Sequence, residues 1–430
     1  MARVAARTYE VAPSAGRLTE SLRDIGYDFH TAVADLVDNS IAAGCTRIDV
    51  DIEFSGNDSW VMVADDGCGM SAGVLLEALR FGTRRSYARN ELGRNGLGLK
   101  TAPLSQCRRL TVVTRKSIHN RVITRRTLDL DIVRDSDSWL IVEDAPTHVV
   151  SVAEGRLADA PGTVVIWEKL DRVLPANRPD GGWARRRMDS LAKKTADHLA
   201  LVFHRFLEGD AGTAPLTITV NGEKVRPWNP FAPNEPATIR LSDQEFEMQH
   251  GQGSGIVRLQ RFVLPPKDEF SSLAEWERLS GPLKWNRQQG LYFYRASRLV
   301  YWGGWGGVRA IDEHTKLARA VLDFDTDLDD VFHINVAKMK VAMPSGLKSM
   351  IERPINELCL RADDIYRKAG SGSAQAAAGP VVDIRAAAGP TIGLALRSAA
   401  MELGHSPALR EIFDLVAERD KDAASALGLI

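Results

Sequence analysis

An α+β fold in two successive regions is what the patterning of this chain predicts, and three observations carry it. Residues 47–54 alternate as a strand does, with Ile48, Val50, Ile52 and Phe54 on one face and Asp49, Asp51 and Glu53 on the other. The run Trp60-Val61-Met62-Val63-Ala64 is short, apolar and stopped by an acid-glycine turn, which marks a buried strand. Helical segments interleave with such strands instead of following them as a block, which suggests a sandwich with helices over one sheet face. With 430 residues there is room for two or three cores.

In chain order, residues 1–20 read as irregular. A helix is predicted from Asp28 to Ala43, stopped by Gly44, then the strands at 47–54 and 60–64. A helix over Ala72–Phe81 precedes a basic, glycine-containing segment up to Asn95, and a further helix starts near Gly98. Strands are predicted at Leu110–Arg115, Arg121–Val133, Trp139–Val142 and Thr163–Trp167. A long helix, Ala184–Leu207, closes a first domain placed at residues 1–208.

The second domain, 209–369, has strand patterns at Leu216–Val220, Ile239–Leu241, Gly255–Leu264, Gly290–Tyr294 and Leu299–Trp302. A helix near Thr315–Val321, a strand near Phe332–Val336 and a helix at Leu347–Ala369 complete it. Residues 370–389 begin with a Gly/Ser/Ala-rich run and read as a flexible linker. The tail, 390–430, carries one amphipathic helix near Ala408–Glu418.

Apolar residues at 44% and charged residues at 26% are ordinary for a soluble globular protein. A formal net charge of -1 provides no global attraction to nucleic acid or anionic membrane. The local basic clusters are Arg84-Arg85, Arg108-Arg109 and Arg185-Arg186-Arg187, and a solvated face explains each as readily as a DNA contact. Cys45, Cys68, Cys107 and Cys359 are scattered, with neither metal spacing nor a disulfide framework, so reduced thiols are expected. The first twenty residues lack the apolar core of a signal peptide, and no stretch approaches the roughly 18–20 apolar residues of a membrane span. A cytoplasmic protein without membrane contact is expected.

Three short stretches carry chemistry. Asp35 and Asn39 stand one helical turn apart in Ala34-Asp35-Leu36-Val37-Asp38-Asn39-Ser40. On a helical wheel Asp38, Asn39 and Ala42 join Asp35, while Val33, Leu36, Val37 and Ile41 lie opposite. The Asn oxygen is a hard ligand suited to Mg²⁺, and the carboxylate could orient or deprotonate a water. An amphipathic helix with a solvated polar face is the alternative. Asp65-Asp66-Gly67-Cys68-Gly69-Met70 ends a strand, and an ionised Asp65 could accept from the amino group of adenine and reject guanine. Glycines 67 and 69 allow positive φ and close backbone approach to a ligand, although a plain Asp-Gly turn would look the same.

The third stretch, Gly93-Arg94-Asn95-Gly96-Leu97-Gly98-Leu99-Lys100, has G-x-x-G-x-G spacing and follows a polar segment, unlike a dinucleotide fingerprint. It fits backbone amides gathered at a helix start to hold phosphate, with Lys100 either adding charge or solvated at the surface. P-loop, H-E-x-x-H and paired C-x-x-C patterns are absent from the sequence, so zinc hydrolases are unsupported.

In this order the stretches resemble the boxes of the GHKL ATPases, the superfamily of gyrase B, the ninety-kilodalton heat-shock chaperones, histidine kinases and MutL. Ala34–Gly44 is similar to the N-box, Asp65–Gly69 to the D-x-G-x-G box, and Gly93–Lys100 to the glycine box of the ATP lid. Gly162-Thr163, opening Val164-Val165-Ile166-Trp167, is similar to the later Gly-Thr element, and Gly-Leu-Lys with Ile-Trp gives a MORC-type likeness. The resemblance implies a Bergerat-type α/β sandwich that binds ATP and Mg²⁺, followed by a transducer-like α/β domain. It implies that Asn39 holds Mg²⁺, that Asp65 binds the adenine amino group, and that Gly67, Gly69 and Met70 shape that pocket. Gly93, Gly96, Leu97, Gly98 and Lys100 would wrap the phosphates, and Thr163 would support adenine through a water.

Asp35 occupies the general-base position, where most hydrolysing members carry Glu. A side chain one methylene shorter displaces the carboxylate by about 1 Å, which can cost on the order of a hundredfold in rate. His333-Ile334-Asn335-Val336-Ala337-Lys338-Met339-Lys340-Val341 is similar to the transducer segment that lends a lysine to the γ-phosphate, with Lys338 the candidate and Lys340 next. The expected function is an ATP-binding, slowly hydrolysing switch that dimerises with nucleotide, with DNA or a protein as client. One alternative is a scaffold that holds ATP with little or no turnover. The other, a histidine kinase, lacks a sensor segment and a phospho-accepting helix within these residues, and carries an acid at position 35 where kinases carry Asn.

Overall fold

The computed structural model describes residues 9, 11, 13–24, 26–81, 98–117, 119, 122–143, 146–212, 214–250, 253–334, 341–376, 396, 400, 406–419, 424–425 and 429. Residues 1–367 make one compact unit and residues 368–430 a second.

The first unit holds two sheets. Strands β1 (Arg47–Glu53), β2 (Trp60–Asp65), β3 (Arg109–Arg115), β4 (Thr124–Asp129), β5 (Gly162–Glu168), β6 (Thr217–Val220) and β7 (Glu223–Lys224) form a seven-stranded sheet in the order β4-β3-β5-β2-β1-β6-β7. Every neighbouring pair is antiparallel except β1 with β6. Its helices are α1 (Ala15–Arg23), α2 (Phe29–Ala42), α3 (Ala72–Ala78), α4 (Gly98–Leu104), α5 (Leu130–Ser136), α6 (His148–Arg156), α7 (Gly182–Val202) and α8 (His204–Glu208). The larger core joins Val33, Leu36 and Val37 of α2 to Ile48, Val50, Val63, Val112 and Trp167 of the sheet and to Met188 and Leu199 of α7.

Helices do not lie on one face alone. Met62, Val113, Val164 and Ile166 point the other way and are covered by Val149, Val150 and Ala153 of α6. The unbroken apolar run at 60–64 requires such two-sided cover, because consecutive strand residues point to opposite faces.

Several expectations give way to local chemistry. Residues 15–20 are helical, since Ser14 caps α1 by accepting from Arg17 N and Arg23 donates to Leu104 O. The strand expected over Arg121–Val133 stops at Asp129, whose carboxylate accepts from Asp131 N and starts α5. Of Trp139–Val142 only Val142 pairs, as an isolated bridge to Thr127. The strand around Leu216–Val220 belongs to the first sheet, beside β1, and not to the second region.

The second sheet contains β8 (Ile239–His250), β9 (Gly253–Val263), β10 (Gly290–Arg295), β11 (Arg298–Trp302) and β12 (Ala318–Phe324), in the order β11-β10-β12-β9-β8. Short helices α9 (Leu273–Leu279) and α10 (Lys284–Gln288) precede β10, and α11 (Ser345–Ala376) follows the sheet. Leu347, Ile351, Ile355, Leu358 and Ala362 form the buried stripe of α11 against Leu259, Leu291, Phe293 and Leu322. Where a helix is expected at Thr315–Val321, a 3₁₀ turn ends at Thr315 and β12 runs between β10 and β9. Ala318, Ala320, Val321 and Leu322 are buried on both faces, and a short apolar run of that kind does not distinguish strand from helix. Phe332 lies in a turn and not a strand, and the rest of that expected strand, from 335, falls outside the described residues.

Helix α11 runs on to Ala376, inside the expected linker; the remainder of 370–389 lies outside the described residues. In the second unit the helix Ser406–Arg419 packs Phe413 with Ala424 and Leu429. Among the described residues no helix is long and apolar enough to cross a membrane.

Candidate functional site

Helix α2 organises the site. It ends where expected, with Ala43 N bonded to Asn39 O, Gly44 N to Ile41 O, and Gly44 at φ 72°. It is not a surface helix: Asp35 is 2% exposed and Asp38 0%, which removes the solvated polar face. Buried carboxylates need partners. Tyr27 Oη donates to Asp35 Oδ2 at 2.9 Å, and Arg298 Nε donates to Asp38 Oδ1 at 2.9 Å. Arg298 Nη2 also lies 3.9 Å from Asp35 Oδ1. The contact with Asp35 raises the Tyr27 hydroxyl pKa, as does burial, the larger effect.

One turn after Asp35, the Asn39 amide nitrogen is buried without a hydrogen-bond partner among the described residues. Such an orphan is costly unless something binds there. A half-turn about χ2 exchanges the amide's nitrogen and oxygen, so the group can offer either to a ligand or cation. Among the described residues no group of three or more acids, histidines or cysteines could cage a metal. A lone amide oxygen does fit Mg²⁺, which takes most of its shell from water and phosphate.

The next residue on α2 reaches the second box. Ser40 Oγ donates to Asp65 Oδ2 at 2.7 Å, and Gly67 N donates to Asp65 Oδ1 at 3.0 Å. Burial raises the Asp65 carboxyl pKa, and these two donors act against it. Asp65 closes β2 opposite Thr163 on β5. Thr114 on β3 ties the turn in place: its hydroxyl accepts from Met70 N at 2.8 Å, donates to Gly162 O at 2.9 Å and lies 3.2 Å from Thr163 Oγ1.

The glycines of this turn serve the neighbouring chain. A Cβ on Gly67 would stand 2.8 Å from Ala43 Cβ, and one on Gly69 would stand 2.0 Å from Arg115 O. Gly69 also sits at φ 59°.

Gly98 opens α4 beside Asp35, where an added Cβ would stand 3.5 Å from Asp35 Oδ2. Lys100 is neither surface-exposed nor solvated: it is 0% exposed, and Nζ donates to Ala78 O at the end of α3, 2.7 Å away. Burial pushes its ammonium down to about 8, with Glu77 acting the other way. A cation at a helix C-terminus also complements the helix dipole. Gly93, Gly96, Leu97, Lys338 and Lys340 lie outside the described residues.

The fold thus gathers Asp35, Asn39, Asp65, Gly67, Gly69, Met70, Gly98 and Thr163 around α2 and the adjoining ends of β2 and β5. Sequence reasoning missed Tyr27, Ser40, Thr114 and Arg298. Only Ser40 had a signal, its place directly after Asn39; Tyr27 lies just before α2, and Thr114 and Arg298 come from remote strands.

Residues 27–157 match the model of the histidine kinase-, DNA gyrase B-, and HSP90-like ATPase family. The DNA mismatch repair protein MutL of Syntrophotalea carbinolica is 31% identical over 152 residues, covering 34% of this chain and 21% of the relative. ATPase morc-1 of Caenorhabditis elegans is 35% identical over 88 residues, covering 20% and 10%. MutL of Salmonella arizonae is 28% identical over 257 residues, covering 57% and 37%. The chain therefore spans 10% to 37% of the length of these relatives. The matched segment holds the α2 helix and the Asp65 turn, and together with these relatives it supports a GHKL-type ATPase domain over residues 27–157, similar to those of MutL and MORC proteins.

Proposed function

We propose that the chain binds ATP with Mg²⁺, hydrolyses it slowly, and dimerises when nucleotide is bound, with DNA or a protein as client. The observation that carries this is the Asp65 carboxylate, braced by Ser40 and Gly67 at a strand end opposite Thr163, one helical face away from the orphaned Asn39 amide. Asp65 would accept from the adenine amino group, with Thr163 supporting the ring and Met70 bordering it. Asn39 would hold Mg²⁺, which when bound offsets the charge that develops on the phosphates. Gly93, Gly96, Leu97 and Gly98 would donate backbone amides to those phosphates, and Lys338 would carry the γ-phosphate's presence to the second sheet. We assign Lys100 a lesser part, as the cap of α3 that steadies the start of α4. Asp35 would orient the attacking water. MutL is by name a mismatch-repair protein, and that association is the ground for DNA as a client.

Nucleotide titration and sizing in solution test this together. ATP should bind the unaltered chain, and Asn39→Ala and Asp65→Ala should each weaken binding by at least about tenfold, the scale of one lost charged or polar contact. A non-hydrolysable ATP analogue should shift the chain from monomer to dimer. Equal ATP affinity in all three proteins would sink the proposal, and an unchanged size with the analogue would remove the switch.

One observation favours a scaffold that keeps ATP intact. The short Asp35 already accepts from Tyr27 on one oxygen and faces Arg298 on the other. Steady-state phosphate release separates the two: none above background, with or without DNA, supports the scaffold.

A further inference from the structure

We propose that Arg298, carried by the second sheet, is a positioning residue for the nucleotide helix, holding Asp38 and thereby fixing the Asp35 carboxylate for turnover. This rests on the ATPase reading above. Arg298 opens β11, 2% exposed, directly after a two-residue turn at Ala296-Ser297. Both turn residues adopt positive φ, 46° and 67°, without being glycine. That conformation suits a tight hairpin and disfavours side chains, so the turn is held by its surroundings.

The two arginines flanking it do the holding. Arg295 is bound on the second sheet's own side, with Nε and Nη2 on the two oxygens of Asp329 at 2.6 and 2.7 Å. Arg298 faces the other way and binds Asp38 on α2 at 2.9 Å. The turn is thereby clamped between its own sheet and the nucleotide helix.

Asp38 lies three residues after Asp35 on the same face of α2, so a bond that fixes it steadies the turn that carries Asp35. The guanidinium also stands over the Phe203 ring at 5.6 Å, with its Nη2 3.9 Å from Asp35 Oδ1. Asp35 is approached by Tyr27 from the chain before α2, by Gly98 from α4 and by Arg298 from β11. Of these, Arg298 alone belongs to the second sheet. A movement of that sheet would move the charge beside the candidate base, which makes turnover depend on both sheets without a change in the nucleotide pocket.

The test uses the full chain and measures ATP affinity and phosphate release separately. Arg298→Met should keep ATP affinity within about threefold and lower kcat by at least about tenfold, because the contact acts on the base and not on the nucleotide. Arg298→Lys should recover part of the rate. Asp38→Asn keeps an acceptor for Arg298 and so tests the same link in a chain expected to fold, and it should lower kcat with affinity preserved. It decides the question if Arg298→Met does not fold. A kcat equal to that of the unaltered chain in Arg298→Met, or in Asp38→Asn where the former is unfolded, overturns the inference alone. So does a loss of affinity as large as the loss of rate. No phosphate release by the unaltered chain overturns the ATPase reading and this inference with it.

Discussion

At Asp65, stability and the adenine recognition proposed for it pull in opposite directions at one side chain. Burial raises its carboxyl pKa above the ordinary 3.8, and the bonds from Ser40 and Gly67 only partly restore it. An acid whose folded pKa is raised binds more protons folded than unfolded, so its contribution to stability is greatest below 3.8. That contribution is lost as pH rises through the raised value, and the ionised group weakens the apo fold at neutral pH. Asp65→Asn should therefore raise the melting temperature at pH 7 while weakening ATP binding. Thermal unfolding and titration of the same variant check both halves. For the same reason ATP affinity should begin to fall on acidification at a higher pH than an ordinary Asp would give. Asp35, Asn39 and Asp65 were all legible as candidates because carboxylate and amide chemistry depends on residue type. Tyr27, Thr114 and Arg298 were not, because their parts depend on which remote atoms the fold brings within 3 Å or so.

Among the elements, α2 was readable to within a residue or so at each end, helped by Gly44 and a clear apolar stripe. Its surroundings were not: a stripe shows that one face is buried and does not tell whether the other is covered too. Helix α6 was missed because His148–Arg156 has only Val149, Val150 and Ala153 to bury, too small a stripe to stand out. The Asp65 turn illustrates the same limit. Its glycines could be read as room for a ligand, whereas Gly69 is needed because the Arg115 carbonyl fills the space where a Cβ would be. Gly69→Ala should thus destabilise the protein by about 2–4 kcal/mol, from positive φ and a backbone clash together. Denaturant unfolding measures it, and a loss below about 1 kcal/mol would mean the turn can shift aside.

At the scale of the molecule, the two sheets lie within one compact unit, residues 1–367, joined by an apolar cluster of Leu201 with Tyr292, Tyr294, Leu299 and Val321 and by polar contacts. Besides Arg298 with Asp38, Arg205 on α8 pairs with Asp323 on β12 at 2.5 Å and lies over Tyr294, whose hydroxyl meets His204 Nε2 at 2.7 Å. The first sheet moreover reaches past residue 208, since β6 covers the edge of β1 and brings Ile218 and Val220 into the core. A fragment of residues 1–208 leaves that edge open and those side chains missing, whereas 1–227 retains β6 and β7. The shorter fragment should be the less soluble and should melt at a lower temperature, because an unpaired apolar edge invites association. Equal behaviour in a thermal melt and in light scattering would show that β6 is dispensable.

By itself the sequence determined the α+β class, the helix and strand that carry the first two boxes, and the chemical types at the candidate site. Periodicity and side-chain chemistry are local properties, set by residues within a few positions of one another. Only the tertiary structure decided that α2 is buried all round from Thr31 to Asp38, that α6 covers the second face of the sheet, and that Lys100 caps a helix. It also decided that an arginine from the second sheet stands beside Asp35, because a buried charge takes whichever partner packing places within reach, at whatever distance along the chain.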